Sequence, residues 1–210
     1  MPLYRRSRVM ISRHWKVGWL ASSLALGACL FATGLQIPQS GIGPAFAAEK
    51  AVPAEKNPPG DIPDSQVFID YVSPQGFTLK VPEGWARSDR PDGATFVDKL
   101  DGVSVTVSKA DAAPTAESAK TDYVPKLEAA GRAVKVTAIK QVKLPAGPAI
   151  RIVYTSNSEP NAVTSKQVRL ENERYLYFRA GKLVTLDLYA PKGADNVDQW
   201  QLMSNSFRWK

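Results

Sequence analysis

Gly76–Trp85, "GFTLKVPEGW", decides how the rest of the chain is read. Phe77, Leu79 and Val81 alternate with Thr78 and Lys80, the pattern of a strand with one face in a core and one in water. Pro82 then removes a backbone donor, Gly84 supplies turn freedom and Trp85 follows as a large apolar anchor. A strand of this kind needs partners, and the chain downstream supplies them. Ala94 to Leu100 and Val103 to Val107 are two more β-rich runs, and Asp101-Gly102 between them predicts the hairpin turn.

Beyond the hairpin, Thr115 predicts a helix N-cap. Ala119, Tyr123, Leu127 and Ala130 recur at helical spacing up to Gly131, and Pro125 is expected to kink or divide the helix near Tyr123. Strands follow at about 133–144 and at Ala149 to Thr155, turned by Pro145 to Pro148. A loop over Ser156 to Ala162 precedes Ser165 to Phe178, and Ala180 to Lys182 turns the chain into Leu183 to Tyr189. From Asp195 to Phe207 the spacing of Val197, Trp200, Met203 and Phe207 predicts a final helix, capped by Asp195 or Asn196. The order β-β-β-α-β-β-β-β-α with short turns implies an α+β domain built on a largely antiparallel sheet.

Upstream of this domain, residues 1–47 read as an export leader. Arg5, Arg6, Arg8, Arg13 and Lys16 precede an apolar run, Val17 to Ile37, and Ala45 and Ala47 stand where signal peptidase requires small residues, so cleavage is expected before Ala48. Two alternatives stay open. Leu26-Gly27-Ala28-Cys29 is similar to a lipobox, which would acylate Cys29, although Leu30, Phe31 and Ala32 continue the apolar run. The 21-residue run is also long enough to be an uncleaved anchor. Arg5-Arg6 lacks the pattern that follows a twin-arginine pair. Each version places the body outside the cytoplasm, in the periplasm or the extracellular space, with membrane contact only through the N-terminal segment. Residues 48–65, with four prolines and mixed charge, read as a disordered or extended tether, and 66–210 as the globular domain.

The leader also explains the charge. The chain carries +7 overall, but the body from 48 onward holds 22 Lys and Arg against 20 Asp and Glu, which argues against nucleic acid as a partner. His14 and Cys29 are the only histidine and cysteine, and both precede Ala48. The body therefore has no imidazole or thiol for nucleophilic catalysis, and none of the ligands zinc and most transition metals prefer. Ser-x-x-Lys pairs and glycine-rich phosphate loops are absent from the sequence. No catalytic, cofactor-binding or metal-ligating residue is assigned.

Carboxylates remain. Asp89, Asp92, Asp98 and Asp101 lie close together, but Asp92-Gly93 and Asp101-Gly102 read as turns. Asp187 shares a strand face with Thr185 and is expected in solvent. Tyr175, Tyr177 and Tyr189 are the candidate ligand or partner surface, read as sharing one sheet face, whereas Trp85 and Trp200 read as core.

"YVSPQGFTLKVPEGW", "GVSVTVSKA", "ERYLYFRAGKLVTLDLYAP" and the closing "SNSFRW" together resemble the PsbP-like group, which includes PsbP, the Ran-binding Mog proteins and exported proteins of the LpqN type. The resemblance covers about 68–209. It implies an α/β/α sandwich around an antiparallel sheet, used as a non-catalytic binding or assembly module. The metal-binding histidines reported for PsbP have no counterpart in the body of this chain, and nothing ties it to Ran or a photosystem. The expected function is an exported envelope module that binds another envelope protein or a small apolar ligand. The alternatives are a lipid carrier, marked by an apolar cavity between sheet and helix, and a carboxylate-dependent hydrolase, marked by facing acids in a pocket.

Overall fold

A computed structural model describes residues 49–210. The expectations for the leader, including Cys29, Ala45, Ala47 and Ala48, lie outside the described residues. Among the described residues, no helix is long and apolar enough to cross a membrane.

Two antiparallel sheets carry the domain. The smaller joins β1 (Phe68–Ser73), β2 (Phe77–Pro82) and the short C-terminal β10 (Arg208–Trp209), with β2 in the middle. The larger has seven strands: β3 (Ala86–Arg90), β4 (Gly93–Asp98), β5 (Asp101–Lys109), β6 (Lys135–Leu144), β7 (Gly147–Asn157), β8 (Arg169–Arg179) and β9 (Lys182–Pro191). Their order is β3-β4-β5-β9-β8-β7-β6.

The opening stretch is the inner strand of the small sheet. Phe77, Leu79 and Val81 are buried, while Lys80 on the outer face reaches Asp70 of β1 at 3.2 Å. Gly84 leaves the strand at φ +85°, a conformation that suits glycine. Helix α3 (Val197–Ser206) lies beside this sheet, and both press on one face of the large sheet. Phe207, at the end of α3, is the pin. Its ring stacks on Tyr177 of β8 at 4.2 Å and on Phe77 of β2 at 5.3 Å, so one side chain joins the two sheets and the helix.

The opposite face of the large sheet is covered by a helical segment made of α1 (Ala116–Ser118), a π-helical turn (Ala119–Tyr123) and α2 (Val124–Ala130). Thr115 caps it in a capping box with Ser118, and Gly131 ends it. Pro125 cannot donate, and its ring would strike the carbonyl one turn back. The preceding turn widens, and the Val124 amide bonds to Ala119 five residues behind. Ala119 and Leu127 of this segment pack on Ile150, Ile152, Leu176 and Leu183. The layers are helical segment, large sheet, then α3 with the small sheet. This is the expected α+β architecture, with one helical layer completed by strands.

Two local expectations are corrected. The β4–β5 loop is Lys99-Leu100, with Asp98 paired to Asp101 and Lys99 at φ 52°. Asp101-Gly102 instead opens β5, because the Tyr189 ring crosses Gly102 so closely that a Cβ there would sit 2.0 Å from it. Likewise Gly93 begins β4, where a Cβ would meet the Val105 carbonyl at 1.9 Å, and the turn falls on Pro91-Asp92. Both glycines serve close approach inside a sheet.

Residues 49–65, read as a tether to the domain, form no regular element. They lie on it as a strap across one end of the large sheet. Asn157 accepts from the Val52 amide at 3.0 Å and donates to the Lys50 carbonyl at 2.8 Å and to Glu49 at 2.9 Å. Asn196 accepts from the Ile62 amide at 2.6 Å and donates to the Gly60 carbonyl at 2.8 Å. Ile62 is buried in the core.

Candidate binding groove

The core face of the large sheet is wider than its cover. The small sheet and α3 lie over β4, β5, β9 and part of β8, leaving a strip of β6, β7 and β8 exposed beside the helix. Strand alternation points Arg151 and Val153 of β7 and Glu171, Glu173 and Tyr175 of β8 into this strip. Val142 and Leu144 of β6 close one wall, and Val197, Gln201, Ser204 and Asn205 of α3 the other. The result is an open groove of about 310 Å³. A smaller recess of about 120 Å³ between Glu171, Val153 and Trp200 shares Glu173 and Val197 with it.

The floor is a closed polar network. Arg151 donates two hydrogen bonds to the Glu173 carboxylate, one from Nε at 2.9 Å and one from Nη2. The Tyr175 hydroxyl donates to the same carboxylate at 2.5 Å. Burial, and then this bond, push the Tyr175 phenol up to about 12, while the bond to Glu173 holds Arg151 above its ordinary value. Beneath it, the Tyr177 hydroxyl donates to the Ser204 carbonyl at 2.9 Å and ties β8 to α3. Glu171 is raised by burial, offset by the Gly193 amide and by Lys192. Both oxygens of Glu173 are engaged, which leaves this acid unsuited to take a proton from a substrate. The walls are mixed, with Val142, Leu144 and Val197 set against Gln201, Ser204 and Asn205, and Val197 is 70% exposed.

The three candidate tyrosines do not form one platform. Tyr175 and Tyr177 lie on the core face and are almost fully buried. Tyr189 pairs with Asn172 and so faces the other side of the sheet, over Gly102. Only Tyr175 lines the groove. Trp200 is buried, and Trp85 and Trp209 pack against the core.

Asp187 does share its face with Thr185, but it is not a solvated residue. Arg174 grips it from Nε at 2.6 Å and from Nη2 at 3.0 Å, and the two side chains are 22% and 16% exposed. Of the clustered acids, Asp89 meets Arg87 at 2.8 Å and Asp92 meets Arg90 at 3.7 Å. Asp101 is the exception. It is buried at the start of β5, its Oδ1 has no hydrogen-bond partner, and burial followed by the Asp98 charge pushes its carboxyl up to about 7. Among the described residues, no group of three or more His, Cys, Asp or Glu is placed to hold a metal ion.

Sequence reasoning missed Arg151 and Glu173. The signal was present: each is a charged residue inside an otherwise strand-like run, and of opposite sign. Only the register of β7 on β8 shows that the two runs are neighbours.

The layers and the groove define an α+β module of PsbP-like fold. The solution structure of the cyanobacterial PsbP, CyanoP, from Synechocystis sp. PCC 6803 superposes with a TM-score of 0.50 at 16% identity, covering 72% of this chain and 98% of that one. A crystal structure from Bacteroides thetaiotaomicron gives 0.42 at 12%, over 67% and 48% of the two chains. A Pseudomonas aeruginosa protein of unknown function gives 0.40 at 10%, over 64% and 91%. No family model and no curated protein matches the chain.

Proposed function

We propose that this protein is an exported, non-catalytic binding module of the cell envelope, and that it takes a partner protein in the groove between α3 and β6–β8. The observation that carries the reading is the groove's chemistry. Its charged groups neutralise one another on the floor, and the surface left for contact sets the apolar Val142, Leu144 and Val197 beside the neutral Gln201, Ser204 and Asn205. That combination suits an apolar side chain of a partner, held by shape and burial. It does not suit proton transfer, because Glu173 is bound by Arg151 and Tyr175 and the groove offers no nucleophile beside a free base. Export rests on the leader sequence. PsbP-like proteins as accessory modules fit the reading, and the fold likeness carries no partner across.

The carrier alternative requires room between sheet and helix. Tyr177, Phe207, Phe77 and Met203 fill that space, each at 1% exposure or less. A protein partner is therefore favoured over an enclosed lipid.

Val197→Lys places a charge on the rim of the groove at a site exposed enough to leave folding intact. It is expected to weaken the complex recovered from the host envelope by roughly tenfold or more. Val163→Lys, on a loop residue 92% exposed and outside the groove, is expected to leave it unchanged. Equal recovery of both variants overturns the assignment of the groove.

A further inference from the structure

The strap crosses the end of β5 directly over Asp101. A side chain on Gly60 would meet Asp101 Oδ1 at 3.0 Å and Oδ2 at 3.2 Å, so Gly60 lies against the carboxylate, whose Oδ1 is buried. Pro191 stands on the other side of Gly60, 2.8 Å from the same position. Nothing donates to Oδ1. The charges around it are Asp61 on the strap, Asp98 and Lys99 at the β4–β5 loop, and the Tyr189 phenol on β9. Two carboxylates therefore oppose one cation around a third, buried carboxylate.

The strap's other attachments include carboxylates that do find donors: Asp61 accepts from the Asp195 amide at 2.8 Å, Asp64 accepts from Gln199 at 3.3 Å, and Glu49 pairs with Arg132 at 3.0 Å. Asn196 holds Gly60 and Ile62 by their backbones, and Gln199 donates to the Ile62 carbonyl at 3.1 Å. Asp101 differs from the strap's own carboxylates in having an oxygen buried beneath Gly60 with no donor.

We propose that Asp101 is a pH latch for the strap: protonated, it lets residues 58–62 close over the end of β5, and ionised, it drives them off. A buried anion without a donor is costly, and the cost is relieved by admitting water, which here means lifting Gly60. Asp101's carboxyl, raised from 3.8 to about 7, sets the direction. A group that binds its proton more tightly in the closed form favours closure in acid and loses that advantage as pH rises through about 7. Opening would bare Asn196, Gln199 and the apolar seat of Ile62, next to the recess that ends at Trp200.

Hydrogen exchange of the protein isolated from its host, followed by mass spectrometry at pH 5 and pH 8 and corrected for intrinsic rates, tests this. Peptides spanning 58–64 are expected to be protected about tenfold or more better at pH 5. Asp101→Asn, neutral and of the same shape, is expected to hold the strap closed at both values. Asn196→Ala supplies the reference for an open strap. Equal protection of the unmodified protein at the two pH values overturns the latch, and so does the same pH dependence in Asp101→Asn. Neither result bears on the groove, whose partner is read separately.

Discussion

Phe207→Ala is expected to cost about 3–5 kcal/mol of folding stability, the range for removing a fully buried aromatic ring. Few core positions touch as many layers. Phe207 is completely buried, stacks on Tyr177 and Phe77, and takes the edge of Trp209 at 5.0 Å. Removing the ring empties the junction of β2, β8 and α3, and the neighbours that would have to collapse belong to different elements. The melting temperature should fall on the order of 10 °C for a domain of this size. Phe207→Leu, which refills most of the volume, should lose about half as much. A loss under about 1 kcal/mol for the alanine variant, by denaturant titration, would mean that the small sheet and the large one are not joined here.

Arg174→Met is the second large effect, expected at about 2–4 kcal/mol. The substitution keeps the length of the aliphatic stem and removes the guanidinium that grips Asp187. It strands a carboxylate that is 16% exposed, close to the buried Tyr154 phenol. Losing one member of a buried pair costs more than losing both, since the remaining charge has no compensation. Arg174→Met combined with Asp187→Leu should therefore regain most of the loss. If the double variant is as unstable as the single one, the pair contributes through packing of the arginine stem and its electrostatics are minor.

The chain advertised its core and concealed its edges. Phe77, Leu79 and Val81, and again Trp200, Met203 and Phe207, repeat at the periods of a strand and a helix because each element has one dry face. β3 has no such signature: Ala86–Arg90 is exposed at every residue and is a strand only because β4 pairs with it. The strap was hidden for another reason. It is held by side-chain amides of Asn157, Asn196 and Gln199, more than 100 residues away in sequence, by Glu49 on Arg132 and Asp61 on the Asp195 amide, and by the buried Ile62. Local composition reports none of that. The Asp-Gly pairs misled because glycine serves both a positive φ and a close approach, and the second depends on Tyr189 and Val105, which the local sequence does not show.

The groove was legible in one part only. Tyr175 was among the candidate tyrosines, and its role as donor to Glu173 follows from register, which brings β8 beside β7. The sequence reading puts Tyr189 on the same sheet face. The register places it on the other face.

The most direct measurement is site-specific photo-cross-linking in the host envelope, with a benzophenone amino acid at Val197, at Gln201, and at Val163 as the remote position. The expected result is one adduct of the same mass from positions 197 and 201 and none from 163. Adducts from 163 alone, or no adduct at 197 and 201, would contradict a partner seated along α3.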